Sequence, residues 1–334
     1  MKLGRVKSGR RGIPGRTGIR IAFLFLIGLV VLAAWGWWRF VPSPLLKLLP
    51  APHLEKYEIT GRSHNGSVID LQGAYFNDGK PTEIVIRSVQ TPDGWEVPEN
   101  LIIRNGRLRG AIRIMGLGAN GEAPLVRESS QRPGHTGRAQ AAAPRGIVLE
   151  DLQIEADHRI PLYLGPGVTD VKVRDCVFTG SSASVALYLD AESARNTIED
   201  CTFDVRAGRE VLAVDGSADN TIIGNRFARA AYGGIYLYRN CGEGGTVRHQ
   251  TPRENRIERN VFNLSDLRPA SYGVWLGSRQ GRRSYCEEDA GYDFGSSIDN
   301  RDFADDNTVA DNLFEPSSPQ AIRDDGARNH LGIR

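Results

Sequence analysis

Asp190 and Asp215 stand 25 residues apart, each just past a short alternating apolar segment, Leu187–Leu189 and Leu212–Val214. If a repeating fold brings two such carboxylates within ~5 Å, mutual repulsion raises one pKa and leaves the other group ionised. That pairing suits retaining glycoside hydrolysis, while a pair of solvated turn acids is the plainer reading of the same residues. A second chemistry is proton abstraction beside a sugar carboxylate. Arg239, Arg279 or Arg323 would clamp the carboxylate in bidentate fashion, and Tyr236, Tyr238 or His249 would act as base or acid. The catalytic candidates are therefore Asp190, Asp215, Tyr236, Tyr238, Arg239 and Arg279. Tyr163, Tyr188, Trp275, Arg323, Asp325 and His249 are the candidates for binding substrate.

These residues acquire a common address from an internal repeat. Asn196-Thr-Ile-Glu-Asp-Cys-Thr-Phe203 is echoed at Asn220–Phe227, Asn255–Phe262 and Asn307–Phe314, and more loosely at Val171–Phe178, 147–154 and 102–108. Such self-similarity marks a stacked-repeat architecture. Inside each copy apolar residues alternate, with a break in the middle, which reads as two short strands around a corner. A third strand follows at Val185–Leu189, Leu212–Val214, Ile235–Leu237 and Val274–Leu276. No intervening segment suits a crossover helix, so the chain winds as a coil of strands, about eight turns from Gly66 to Arg334. Asn196, Asn220, Asn255, Asn307 and Asn329 recur at one corner, and Cys176, Cys201, Asn225, Asn260 and Asn312 at another. Like residues one coil apart can bond along the stack.

This pattern resembles the right-handed parallel β-helix, or pectate-lyase-like, superfamily. The resemblance implies an all-β solenoid and is similar in kind to lyases and epimerases of polysaccharide uronates. The Asp-Pro-His-Asp motif of alginate epimerases and the Gly-His-Gly and Asn-Thr-Asp signatures of polygalacturonases are missing; Asp157-His158 is only a fragment of the first.

If Leu187 and Leu189 point inward, Tyr188 and Asp190 point out. The same alternation gives an outer column of Tyr163, Tyr188, Ala213, Tyr236, Trp275 and Arg323, flanked by Asp190, Asp215, Tyr238 and Asp325. Exposed rings on one sheet would stack on the CH-rich faces of a sugar chain; an aromatic surface ladder is the alternative. The coil markers Leu108, Ile154, Phe178, Phe203, Phe227, Phe262 and Phe314 are spaced 46, 24, 25, 24, 35 and 52 residues apart. The surplus in the long intervals falls at 117–145, 239–253 and 278–305. All three follow the third strand, so they crowd one corner as a wall beside the column.

Cys241 and Cys286 lie in neighbouring wall loops, and a disulfide between them is expected in an exported domain. Cys176 and Cys201 read as buried, stacked thiols. No His stands at ligand spacing to a Cys, so no metal or other cofactor is expected. Ca²⁺ at Glu287, Glu288, Asp289 and Asp293 is the exception to weigh, against a merely solvated acidic loop.

Net charge is +2, but the first 39 residues hold eight basic side chains and no acid, leaving 34 basic against 40 acidic residues in the remainder. An acidic body argues against nucleic acid as partner. Residues 1–20 read as a basic cytoplasmic tail and 21–40 as a single-pass signal anchor, with Trp35, Trp37 and Trp38 in the interfacial belt. A cleaved signal peptide with Val31-x-Ala33 at the cut is the rival. Residues 41–65 form a Pro-rich stalk and cap, and 66–334 the β-helix. In a bacterial cell this places the solenoid in the periplasm, held to the inner membrane. The last coil is open, which invites self-association there. Three functions follow from these readings: a carbohydrate-active enzyme (lyase, epimerase or hydrolase) on an acidic polysaccharide, a non-catalytic polysaccharide-binding or export scaffold, and a protein-interaction scaffold.

Overall fold

A computed structural model describes residues 54–119, 121 and 123–332. The expected membrane span lies outside these residues, and among them no helix is long and apolar enough to cross a membrane. The chain winds through three parallel sheets in each turn. Sheet I contains Lys172–Arg174, Thr197–Glu199, Thr221–Ile223 and Arg256–Glu258, paired in register. Sheet II contains Val177–Ser182, Thr202–Ala207, Arg226–Phe227 and Val261–Asn263. Sheet III contains Leu162–Leu164, Leu187–Leu189, Leu212–Asp215, Ile235–Tyr238, Val274–Leu276 and Ile322–Asp324. Lower in the stack the strand Ile102–Met115 passes through all three sheets. The strand Glu55–Thr60 pairs with Thr82–Arg87 and adds a rung ahead of the Gly66 start that alternation suggested.

The interior follows from the period-two pattern. Phe178, Phe203, Phe227, Phe262 and Phe314 are register partners, and their rings stack 4.6–5.1 Å apart at interplanar angles of 4–13°. Burying a ring of this size stabilises the fold by roughly 2–3 kcal/mol. Cys176 and Cys201 are free and buried below the Asn column, their Sγ atoms donating to the carbonyls of Leu149 and Val173. The hydrogen bond from Cys176 and burial together push the Cys201 thiol far up, so it stays protonated.

Each corner turns through a left-handed residue, such as Asp175, Asp200, Gly224, Arg259 and Asp311. Asp and Gly tolerate that conformation more readily than most residues. The buried residue after it is the ladder position. Asn225 Nδ2 donates to Asn260 Oδ1 at 3.0 Å and to the Ile198 carbonyl at 2.9 Å, and Asn260 repeats the pattern toward Asn312 and Ile222. Asn196, Asn220, Asn255, Asn307 and Asn329 form the second ladder at 2.8–3.2 Å. Gly110 is the tightest bend: φ is 127°, and a Cβ there would stand 1.9 Å from the Thr82 carbonyl oxygen.

All three long insertions leave sheet III and return to sheet I, at the same corner, as the spacing predicts. The first folds into two short helices, α1 (Pro124–Ser130) and α2 (His135–Ala142), where the sequence suggested only loop.

Asn260→Ala deprives the Asn225 amide, the Asn225 side chain and the Ile222 carbonyl of their partners. At about 1–3 kcal/mol per orphaned buried group, the loss should reach at least ~3 kcal/mol, measurable by urea denaturation.

Candidate functional site

The insertions lean over sheet III and enclose a cleft of about 980 Å³. Its floor is Arg113, Tyr163 and Tyr188, register partners on successive rungs. Ile160, Ser184 and Arg209, from the turns that lead into sheet III, line one side. Asn240, Glu243, Arg279, Arg283 and Tyr285, from the second and third insertions, line the other.

Beneath the floor lies a buried charge cluster. The Tyr163 hydroxyl donates to Asp190 Oδ2 at 2.5 Å, and the Tyr188 hydroxyl donates to Asp215 Oδ2 at 2.7 Å. Arg248, wholly buried, places Nη1 3.4 Å from Asp190 and 3.5 Å from Asp215, and Nη2 3.0 Å from Glu243. One cation thus serves three carboxylates. Burial raises the Asp190 pKa to about 6, against the pull of Arg248 and with a push from Asp215. Burial also raises Glu243. Burial opposes the charge on Arg248, yet Asp215, Asp190 and Glu243 hold it above the usual arginine range. Tyr188 is pushed well up by burial and by Asp215, so its hydroxyl stays protonated.

The wall is braced from below. Asp302 accepts hydrogen bonds from the backbone amides of Arg239, Arg279 and Gln280 at 2.8–3.0 Å. The expected disulfide joins Cys241 to Cys286. Their neighbours Asn240 and Tyr285 meet in the cleft, where the Tyr285 hydroxyl donates to Asn240 Oδ1 at 2.8 Å.

The outer column has the register read from the sequence, but its tyrosine rings are not open to solvent, while Trp275 is half-buried. Tyr163, Tyr188, Tyr236 and Tyr238 are 1–9% exposed, because the insertions and their own turns cover them. Only Tyr163 and Tyr188 face the cleft, together with Asp190 and Arg279. Asp190 and Asp215 are likewise buried, with Arg248 beside both, rather than solvated turn acids. Tyr236 accepts from the Tyr272 amide at 3.0 Å, and Tyr238 donates to Glu210 at 2.9 Å. Arg239 turns away from the cleft and donates to the carbonyls of Asp299 and Arg301, tying the second insertion to the third. His249 braces the wall through its ring nitrogen and the Ser130 carbonyl, 2.8 Å apart, with Phe294 against its ring. Trp275, Arg323 and Asp325 form their own cluster on later rungs, where Asp325 Oδ2 accepts from both other side chains at 2.8 Å. Asp289, one of the four acids weighed for Ca²⁺, is buried and accepts from Ser296. Among the described residues no group of three or more His, Cys, Asp or Glu is placed to hold a metal.

Alternation along strands does not reach Arg248, Arg209 or Tyr285, whereas Arg113, between Ile112 and Ile114 on a strand, was within its reach and was missed. Two aspartates stacked in one column were the available signal, since a buried pair demands a cation, and Arg248 stands next to the singled-out His249.

Residues 145–285 match the family described as "Right handed beta helix region". The described residues fold as a parallel β-helix. No curated protein sequence matches this β-helix. It is similar to an alginate lyase from Paenibacillus sp. str. FPU-7, at 11% identity and a TM-score of 0.35, covering 86% of this chain and 95% of the other. It is also similar to the A-module of the mannuronan C-5 epimerase AlgE4 of Azotobacter vinelandii, at 12% identity and a TM-score of 0.21, covering 84% and 87%.

Arg248→Met leaves the buried Asp190 and Asp215, and the partly exposed Glu243, without their shared cation and should cost about 3–5 kcal/mol, read as a fall in the chemical-denaturation midpoint. Asp190 gives a separate pH signature. Its folded pKa is raised from near 3.8 to about 6. The folded state therefore binds the proton more tightly, and this group's contribution is complete below about pH 4 and lost as pH rises to about 6. Melting curves of wild type and Asp190→Asn across that window should diverge, wild type losing on the order of 3 kcal/mol relative to the variant on the way up.

Proposed function

We propose that this β-helix acts on an acidic polysaccharide by moving a proton at the carbon beside a sugar carboxylate. The observation that carries the reading is the Tyr163–Asp190 hydrogen bond at the floor of a cleft lined by Arg113, Arg209, Arg279 and Arg283. The arginines supply the positive field a uronate needs, and their guanidinium planes suit bidentate carboxylate binding. Tyr163 takes the proton from carbon while passing its own hydroxyl proton to Asp190, and the electron pair left behind is spread into the carboxylate held by arginine. Asp190 is the final acceptor. Its pKa near 6 makes it ionised yet basic at neutral pH, which is the matching that proton transfer requires. Whether the pair then expels the neighbouring sugar or is reprotonated from the opposite face decides between elimination and epimerisation.

The cell-side reading belongs to the same proposal. The basic tail and apolar stretch of residues 1–40 anchor the chain in the inner membrane, with the solenoid in the periplasm. The Cys241–Cys286 disulfide supports an oxidising compartment.

A binding module without chemistry is the second reading, favoured by one feature: both aspartates under the floor are already engaged by tyrosine and arginine. The test uses the full chain against alginate, polygalacturonate and neutral glucans, following binding, new unsaturated ends and exchange of sugar C–H for solvent deuterium. Turnover or exchange on a uronan should rise through about pH 6 as Asp190 ionises. Tyr163→Phe should lower it by ~10²-fold or more while affinity changes little. Tight binding with neither product nor exchange selects the binding module, and equal action on neutral glucans removes the uronate assignment.

A further inference from the structure

The floor column continues past the cleft, but the cleft does not. From Tyr188 the next register partners are Ala213, Tyr236 and Trp275. Ala213 is fully buried. Arg209, from the turn on one side, and Arg279, from the third insertion on the other, converge there on Tyr238. Arg209 Nη2 donates to the Tyr238 hydroxyl at 2.7 Å, and the Arg279 guanidinium lies 3.6 Å from the centre of the Tyr238 ring. Behind them Tyr236 is capped by the Tyr272 amide, and Tyr272 packs edge-on against Trp275 at 5.0 Å. The barrier is held rigidly: Asp302 fixes the Arg279 backbone, Tyr285 contacts the Arg279 side chain, and the Cys241–Cys286 bridge joins the two loops.

On the opposite side the floor runs down through Arg113 to Glu83, and the strand Glu55–Thr60, the first of the described residues, exposes Lys56, Tyr57 and Glu58. With rungs ~4.8 Å apart, the floor from Thr82–Arg87 to Leu187–Leu189 is roughly 15 Å long. This groove takes a short stretch of chain and stops at two guanidinium groups.

We infer that the cleft receives the end of an acidic polysaccharide rather than its middle, with the carboxylate of the terminal sugar against Arg209 and Arg279. The inference rests on the acidic-polysaccharide reading above and adds the mode of engagement. A chain running along the rungs cannot continue over Ala213, so internal segments are excluded by the arginine barrier and only a terminus reaches Tyr163 and Asp190.

The test counts protein molecules per sugar chain. The probes are polymannuronate, polyguluronate and polygalacturonate, each as short size-defined oligosaccharides and as long polymer. The full chain carrying Tyr163→Phe is used so that turnover does not shorten them. Sedimentation velocity at saturation should show one protein per chain whatever the chain length, and long polymer should compete with oligosaccharide in proportion to its ends rather than its mass. Borohydride reduction of the probes shows which end is read. Stoichiometry that grows with polymer length overturns the inference and leaves the polysaccharide reading standing. Absence of binding to every uronan removes both. Arg209→Gln keeps a donor for Tyr238 while losing the charge that also pairs with Glu210, and, assayed well below the melting temperature of the variant, should weaken oligosaccharide binding tenfold or more. Unchanged affinity in that variant also overturns the inference.

Discussion

Each turn of this coil bends the backbone sharply inside a dry interior, and a buried bend leaves amides and carbonyls that must be satisfied. The asparagine ladders meet that demand. At each position one carboxamide accepts from the amide of the turn before and donates to a carbonyl across the bend, so every corner depends on its neighbours. Because like must stand on like, the ladders fix the pitch, and the pitch in turn stacks the phenylalanine rings face to face. Cys201 occupies one rung of a ladder because it sits where the Asn225 carboxamide can accept from its backbone amide without help from its side chain.

Once the pitch is set, extra chain can leave only where the ladder is not interrupted. The insertions leave after sheet III and rejoin before sheet I, which gathers them over the same few rungs. There they change the electrostatics of the column beneath. Tyrosines and aspartates that a bare solenoid would leave in water become buried, and the aspartates then require Arg248. The same covering sets the Asp190 pKa near 6. The site is thus a property of two layers: a regular sheet that orders the residues, and an irregular wall that decides their charge state.

This division explains what could be read from residues alone. Strand order, the phenylalanine file, the ladders, the shared corner of the insertions and the Cys241–Cys286 bridge all follow from period and spacing, which are written locally. The register of Tyr163, Tyr188, Ala213, Tyr236, Trp275 and Arg323 was legible for the same reason. Burial of that column was not, because it depends on how aperiodic loops fold back. His249 and Arg239 looked like reagents on composition, yet the loop conformation turns them into braces. Arg248 and Arg209 carried no periodic mark at all. Helices α1 and α2 were missed because each is too short to show a face.

The bridge between Cys241 and Cys286 also has a consequence for how the stack comes apart. It closes a loop of 45 residues that contains the entire turn through Arg256–Glu258, Val261–Asn263 and Val274–Leu276. In a one-dimensional stack, loss of order starts from an end and travels rung by rung. Fraying that passes the last described turn, Thr308–Ala310 to His330–Gly332, meets this closed ring next. The bridge opposes further loss there, because a turn whose two ends are covalently joined gains less freedom on coming apart. The covalent latch therefore divides the solenoid into a tip beyond the ring and a trunk that carries the cleft.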